Sequence, residues 1–429
     1  MELVDTYLSG SPFYNLLCMK MEATPVVIDP DVVFSGVYCL AAHGRGKTTL
    51  LKTLIEPRLH EKCSIIIFDS KPELATAYRH LKLPKQTVII DPHPNLSLNP
   101  LRLGTHNVSL LMQLFGSLQA DFTPRQSTLL RNVVHLCTQI KDATLRDFRN
   151  VVATGADRYA DALAKLDEED QDFWTYTYPK QHQKTAEELA WRIDLIRPPD
   201  SFLRSMFNAP TTKVNMAELM DTNTLTIINN SRVLLDEYQC EFFSRMFLVM
   251  ILAAAEQRAK LPDSQKNPCF VFIDEADIVV RNEEKTADII QKCRSQKISL
   301  CIAHQSLSQI TNEKVRTALA DCAVKYMSVD HDAPSVAALL GVPADTLRGM
   351  HNGRFALSVR GRPTTTVQVT PTDHSKYPRL TPVQIVAHEA LMRETYHYTP
   401  AVRAEKMADP SNPARPTGPV INVMPTEDP

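Results

Sequence analysis

Short apolar runs recur along the chain, each closed by a polar residue or a glycine. They are Val37 to Ala42, Ser64 to Asp69, Thr87 to Asp91, Thr224 to Asn229, Phe270 to Asp274, Ile298 to Ala303 and Ala323 to Val329, followed by the pair Arg354 to Val359 and Thr364 to Val369. Unbroken apolar runs of this length are the mark of strands buried on both faces of a parallel sheet. Longer amphipathic stretches separate many of them: Val108 to Leu118, Arg125 to Ile140, Ala156 to Leu166, Thr185 to Ile196 and Glu237 to Lys260 read as helices. The alternation predicts an α/β chain with a doubly wound, mostly parallel sheet and a site at the carboxyl ends of its strands.

The helical pattern is not evenly spread. Most of it falls between about residues 104 and 215, which we read as an all-helical domain inserted into the α/β core. The organisation expected is a lead-in over 1–30, a first core part over 31–103, the insert over 104–215, a second core part over 216–399 and a Pro-rich disordered tail over 400–429.

The first break after an apolar run carries chemistry. Cys39-Leu-Ala-Ala-His-Gly-Arg-Gly-Lys-Thr-Thr49 runs from a strand through Gly44 and Gly46 into a helix. Glycines let backbone N–H groups turn inward, and a helix start adds positive potential, so the stretch predicts a phosphate cradle of the Walker A kind. His43, Gly44, Arg45, Gly46, Lys47, Thr48 and Thr49 are the expected nucleotide-binding residues. Lys47 would reach the outer phosphates and the Thr48 hydroxyl would hold Mg²⁺. The pattern G-x-x-x-x-G-K-[ST] is met except at Ala41, which replaces the first glycine.

A second motif follows the run Cys269-Phe-Val-Phe-Ile273, which ends on Asp274-Glu275. A carboxylate pair at the end of a buried strand, downstream of a phosphate loop, fits a Walker B motif. Asp274 would enter the Mg²⁺ shell, and Glu275 would polarise the attacking water as general base.

The order of motifs resembles the HerA/FtsK superfamily of P-loop motors, and in particular the TraG/TraD-like coupling ATPases of type IV secretion and conjugation. The pieces that carry the resemblance are Gly44-Arg-Gly-Lys-Thr48, Phe68-Asp-Ser-Lys-Pro-Glu-Leu74, Leu96-Ser-Leu-Asn-Pro-Leu101, Ile273-Asp-Glu-Ala276 and Leu300-Cys-Ile-Ala-His-Gln-Ser-Leu-Ser-Gln309. The resemblance implies a RecA-like P-loop NTPase fold, ATP and Mg²⁺ as cofactors, and DNA translocation by a homo-hexameric ring. It implies that Gln305 senses the γ-phosphate and that Arg294 acts on a neighbouring subunit's ATP, with Arg360 and Arg362 as competing candidates. A relaxase, a nuclease, or a secretion or packaging partner fits the same resemblance. His43 and Arg45 are bulkier than the family's usual loop residues. The membrane helices that anchor coupling proteins have no counterpart in the pattern, so a soluble motor is expected.

Composition narrows the rest. The chain has 429 residues and a formal net charge of −2, so any nucleic-acid surface must be local. No apolar window approaches the roughly 18 residues that span a bilayer, the longest being Phe247 to Ala255. The first residues do not form a signal peptide. Nine cysteines without a C-x-x-C pair predict a reducing, cytoplasmic setting, with neither zinc nor disulfides. The acidic run Asp167 to Asp170 reads as a solvated helix end, and Asp330-His-Asp332 as a polar turn rather than a metal site. Tyr396-His-Tyr398 could stack on a base but reads better as packing against the core. Two other functions share these motifs: an ATP-binding assembly module that moves no DNA, and a motor that packages a viral genome.

Overall fold

The computed structural model describes residues 28–103, 108–116, 122–199, 201–280, 290 and 292–399. The Phe13 to Cys18 run of the lead-in and the Pro-rich tail from residue 400 lie outside the described residues.

Nine strands form one sheet in the order β3-β4-β2-β5-β6-β1-β7-β8-β9. They are β1 (Val37–Ala41), β2 (Ser64–Asp69), β3 (Thr87–Ile90), β4 (Leu225–Asn229), β5 (Cys269–Ile273), β6 (Ile298–His304), β7 (Val324–Ser328), β8 (Arg354–Val359) and β9 (Thr365–Gln368). From β3 to β7 every pairing is parallel, and β8 and β9 close the far edge antiparallel. Each predicted strand is present to within a residue or two. The apolar runs of β1 to β6 are buried throughout, as the absence of alternation requires.

Successive strand residues face opposite sides, so the sheet builds two cores. On one side Cys39, Ile65, Ile67 and Leu225 pack with Leu50, Leu51 and Ile55 of α1 (Lys47–Arg58) and with Leu74 and Tyr78 of α2 (Glu73–Tyr78). On the other side Tyr38, Leu40, Ile66 and Phe68 belong to a larger apolar cluster that continues into the helices between β3 and β4.

Every described element between β3 and β4 is helical. The main ones are α3 (Val108–Gly116), α4 (Pro124–Gln139), α5 (Leu145–Thr154) and α6 (Gln183–Ile196). The expected helix over Ala156 to Leu166 is instead a 3₁₀ turn, Asp157–Tyr159, followed by one short helix, Ala160–Leu163. Gly155 at φ 76° ends α5 just before it, and Tyr159 at φ −126° interrupts the helical path. The acidic run caps the next short helix: the Asp167 carboxylate accepts from the Asp170 N–H at 2.9 Å.

The N-P-L signature fastens these helices to the sheet. Asn99 is fully buried; its amide donates to the carbonyls of Ala143 (2.8 Å) and Ala209 (2.9 Å), and its Oδ1 accepts from the Leu101 N–H (2.9 Å). One side chain thus ties the chain leaving β3 to the loop between α4 and α5 and to the chain returning towards β4.

Helix α7 (Glu237–Arg258) corrects the membrane reading. By length and composition it is apolar enough to cross a bilayer, yet 89% of its apolar window is buried inside the fold. Counting only unbroken apolar residues hid it, because Glu241 and Arg245 punctuate the run and satisfy each other as an i,i+4 ion pair at 2.5 Å.

Helix α8 (Pro382–Tyr396) was not foreseen, although Thr381, Pro382 and Gln384 spell out a capping box with proline at its first turn. It covers the β3 edge, where His388 Nε2 contacts the Thr87 carbonyl oxygen at 2.7 Å. The aromatic patch after it packs inward. Tyr396 joins the core, the His397 and His93 rings stack at 4.6 Å, and the Tyr398 hydroxyl donates to the Ser205 carbonyl at 3.0 Å.

Candidate functional site

The phosphate loop leaves β1 at the carboxyl edge of the sheet, with β6 between it and β5. Gly46 is the N-cap of α1 at φ 91°, and no side chain caps the helix. Its first-turn N–H groups therefore remain for another acceptor. Gly44 has φ 75° and open space around its missing Cβ, whereas a Cβ on Gly46 would lie 3.3 Å from Gly353 Cα. The Gly353 N–H donates to the Arg45 carbonyl at 3.0 Å. The start of β8 thus presses on the loop, and glycine is required on both sides of that approach. His43 and Gly44 are exposed, while Thr48 and Thr49 are partly buried at the helix start.

Lys47 points across the strand ends. Its Nζ lies 2.7 Å from Asp274 Oδ1 and 2.8 Å from Glu275 Oε1. Burial pushes its pKa down, but the two carboxylates outweigh burial and hold it above the ordinary lysine value. Glu275 follows Asp274 with φ 51°, the left-handed region a glutamate seldom occupies. Its carboxylate collects donors: Gln305 Nε2 reaches Oε1 at 2.7 Å and Oε2 at 2.9 Å, and Lys71 Nζ reaches Oε1 at 2.5 Å. Burial would raise the Glu275 pKa, but the charge of Lys47 and the hydrogen bonds from Lys47, Lys71 and Gln305 hold it down at about 2.

Two buried groups frame these residues. Asp69 ends β2, is fully buried, and accepts the Ala75 N–H at 2.6 Å, so the first residue of the Asp-Ser-Lys signature fixes the start of α2. Burial raises its pKa to about 7 against that hydrogen bond, and the nearby Asp274 adds to the rise. His304, next to Gln305, is fully buried, with Nε2 2.9 Å from the Tyr38 hydroxyl and Nδ1 2.9 Å from the Ser306 carbonyl oxygen. A carbonyl only accepts, so Nδ1 carries the proton and Nε2 accepts from Tyr38. Burial lowers the His304 pKa to about 4 and keeps the ring neutral.

The loop after β7 joins the phosphate loop to the Gln305 segment. Asp330 forms an ion pair with Arg45 and accepts the Gly349 N–H at 3.3 Å, while Asp332 Oδ2 accepts the Leu307 N–H at 2.9 Å. Both carboxylates of Asp330-His-Asp332 are spent on this clasp. No group of three or more residues suited to hold a metal occurs among the described residues.

Of the residues singled out in the sequence, the phosphate loop, Asp274, Glu275 and Gln305 come together. Arg294 does not join them within the chain. It is exposed and precedes β6, near the Lys297 carbonyl that pairs with the Cys269 N–H at the start of β5, at the opposite edge of the sheet. Arg360 and Arg362 are exposed on the β8–β9 turn at that same opposite edge, where β8 ends beside Val324. The Lys71–Glu275 contact (although Lys71 stood in the Phe68–Leu74 signature), the Arg45–Asp330 pair and Gly353 are the site features that sequence reasoning missed. Gly353 had a local signal in the turn His351-Asn-Gly-Arg354; the other two depend on contacts distant in sequence.

The cradle suits a phosphate chain with a divalent cation. It offers uncapped helix N–H groups, open space at Gly44, a buried ammonium now held by carboxylates, and the Thr48 hydroxyl with Asp274 as oxygen donors.

Comparison with known proteins agrees with this geometry. No curated protein matches the sequence. Among solved structures, the bacterial conjugative coupling protein TrwB in an unbound form is similar at a TM-score of 0.61 with 13% identity, covering 86% of this chain and 94% of that one. VirB4 of Thermoanaerobacter pseudethanolicus is similar at 0.58 with 14% identity, covering 82% and 94%. The plasmid coupling protein TrwB in complex with ADP and Mg²⁺ is similar at 0.57 with 13% identity, covering 86% and 94%. The fold is that of these P-loop NTPases. The family described as "Helicase HerA, central domain" matches residues 15–250, which is more than half of the chain and includes the phosphate loop. The chain therefore belongs to the family of the HerA helicase central domain.

Proposed function

We propose that the chain binds ATP with Mg²⁺, hydrolyses it, and uses the energy to move DNA as a cytoplasmic homo-hexameric ring serving a relaxase, a nuclease, or a secretion or packaging partner. The observation that carries this reading is the single cluster in which Lys47 contacts both Asp274 and Glu275 while Gln305 holds Glu275. Family membership and the nucleotide bound by the similar TrwB support it.

In this reading Lys47 leaves the carboxylates to neutralise the outer phosphates. Thr48 and Asp274 would hold Mg²⁺, which supplies charge neutralisation of the phosphate oxygens. Loss of Lys47 as a neighbour removes the main charge holding the Glu275 pKa low, so its carboxylate becomes more basic as substrate arrives. Glu275 then takes a proton from water as that water attacks the γ-phosphorus. The bond to the β–γ bridging oxygen breaks, and ADP and phosphate result. Gln305 binds both oxygens of Glu275 and is set between the phosphate loop and β5, a position from which loss of the γ-phosphate reaches the sheet. Arg294, or one of Arg360 and Arg362, would act on the ATP of an adjacent subunit. The described helices between β3 and β4 would belong to the inserted domain, and DNA would be held through its backbone, insensitive to sequence.

The test is the ATPase rate with and without single- and double-stranded DNA, read beside mass photometry of the same sample. Stimulation by DNA together with a six-subunit mass supports the motor. ATP uptake without DNA stimulation favours the assembly module.

A further inference from the structure

One buried carboxylate and one phosphate-loop lysine pose a problem of charge. In the resting site Lys47 serves Asp274 and Glu275 at once, with side chains only 2% and 7% exposed for the two acids. Once Lys47 turns to a phosphate, Glu275 needs another cation or it must stand ionised in a desolvated place, which is costly. The second cation is already there. Lys71 Nζ lies 2.5 Å from Glu275 Oε1, and its side chain is 44% exposed, so it can remain hydrated on one side while it holds the buried acid on the other.

The backbone under Lys71 is fixed. Ser70 is buried and its hydroxyl donates to the Asp274 carbonyl at 3.2 Å. Pro72 is the N-cap of α2, and Asp69 accepts the Ala75 N–H at 2.6 Å. The loop from β2 is therefore tied to the end of β5 on one side of Lys71 and to a helix start on the other. Glu275 needs such a tether, because its φ of 51° gives no support from regular structure. The charged and titratable groups facing its carboxylate are Lys47 from the phosphate loop, Lys71 from the β2 loop, Asp274 beside it in the chain, and the neutral His304 next to Gln305.

We infer that Lys71 is a positioning residue that keeps Glu275 compensated and aimed when Lys47 moves to a bound phosphate. This rests on the nucleotide reading of the site. Without Lys71, Glu275 competes with the phosphates for Lys47, so ATP binding weakens. The cost passes through Glu275 and not through any contact of Lys71 with ATP.

The experiment is a double-mutant cycle on the full chain, reading the affinity for MgATP by calorimetry in the wild type, Lys71→Met, Glu275→Gln and the pair. Lys71→Met should weaken binding about tenfold in the wild type and leave it unchanged in the Glu275→Gln background, because a neutral side chain needs no cation. Lys71→Arg should recover most of the loss and serves as the variant that preserves folding. Equal weakening in both backgrounds would mean that Lys71 touches the nucleotide, and no weakening in either would mean an ordinary surface lysine; each result overturns the inference. A folded wild type that takes up no ATP overturns the nucleotide reading and this inference together, which separates the two failures.

Discussion

The two edges of the sheet hold charge in opposite ways. At the carboxyl edge Lys47, Asp274 and Glu275 are buried and matched atom to atom, and Asp69 beside them has a pKa raised to about 7 by burial. At the amino edge Arg294, Arg360 and Arg362 stand exposed on a helix end and a hairpin turn. β6 runs between them from Ile298 near Arg294 to His304 beside Gln305, and β8 runs from beside the phosphate loop to Val359 next to Arg360. In the proposed reading the carboxyl edge supplies the residues for binding and hydrolysis, and what it lacks is an added positive charge on the transferred phosphoryl group. The amino edge carries exposed arginines, which lie at the end of the sheet opposite the site of their own chain. The contrast teaches that a finger, if one of these arginines is one, must work across a subunit boundary.

Arg294→Ala breaks that contrast most sharply. In the proposed ring it should lower the hydrolysis rate by about 10³-fold or more, the range of trans-acting arginines. Mixing it with Lys47→Ala subunits should restore part of the activity, because an intact site then meets an intact arginine. An inactive Arg294→Ala without rescue on mixing counts against a trans role and moves attention to Arg360 and Arg362, tested the same way.

Glu275→Gln isolates the carboxyl edge. Hydrolysis should fall by about 10²-fold or more while MgATP still binds, since the amide keeps the shape but cannot accept the proton. Turnover at the wild-type rate in the purified variant removes Glu275 from the role of base.

Asp69→Asn gives the smallest effect and probes the burial that sets this edge apart. Asp69 has its carboxyl raised to about 7 in the fold, so between its unfolded value and pH 7 the native state holds a proton that the unfolded chain releases. Its contribution to stability is complete at low pH and lost as pH rises through about 7, with a slope approaching ~1.4 kcal/mol per pH unit. His304 has the opposite sign: its lowered pKa means stability is lost as pH falls from its unfolded value through about 4. The informative quantity is therefore the difference between wild type and Asp69→Asn in denaturant titrations from pH 5 to pH 8. That difference should shift in favour of the asparagine variant as pH rises. A pH-independent difference means Asp69 is ionised in the fold.

What could be read in the sequence follows from how local each signal is. β2 and β5 announce themselves because five or six successive apolar residues have few other uses. Gly46-Lys-Thr48 and Asp274-Glu275 are local motifs whose order along the chain implied that they meet. Gln305 as a site residue followed from the resemblance alone, and its contact with Glu275 was not foreseen. The clasp of Arg45 by Asp330 and the bond from Lys71 to Glu275 join residues more than two hundred positions apart, and no periodicity or composition encodes such a pair. Asn99 is a further case: its tripeptide was visible as a signature, but its role in fastening the helical region needs the positions of Ala143 and Ala209. Helix α8 was legible in its capping box and missed because its polar and apolar residues do not separate into clean faces.

The central claim is that the loop from Gly44 to Thr49 holds a nucleoside triphosphate that draws Lys47 away from Asp274 and Glu275. Calorimetric titration of MgATP into the folded chain tests it most directly. The account predicts saturable uptake at one site per chain, abolished by Lys47→Ala; a folded wild-type chain that takes up no ATP, or a Lys47→Ala variant that binds it as tightly as the wild type, contradicts it.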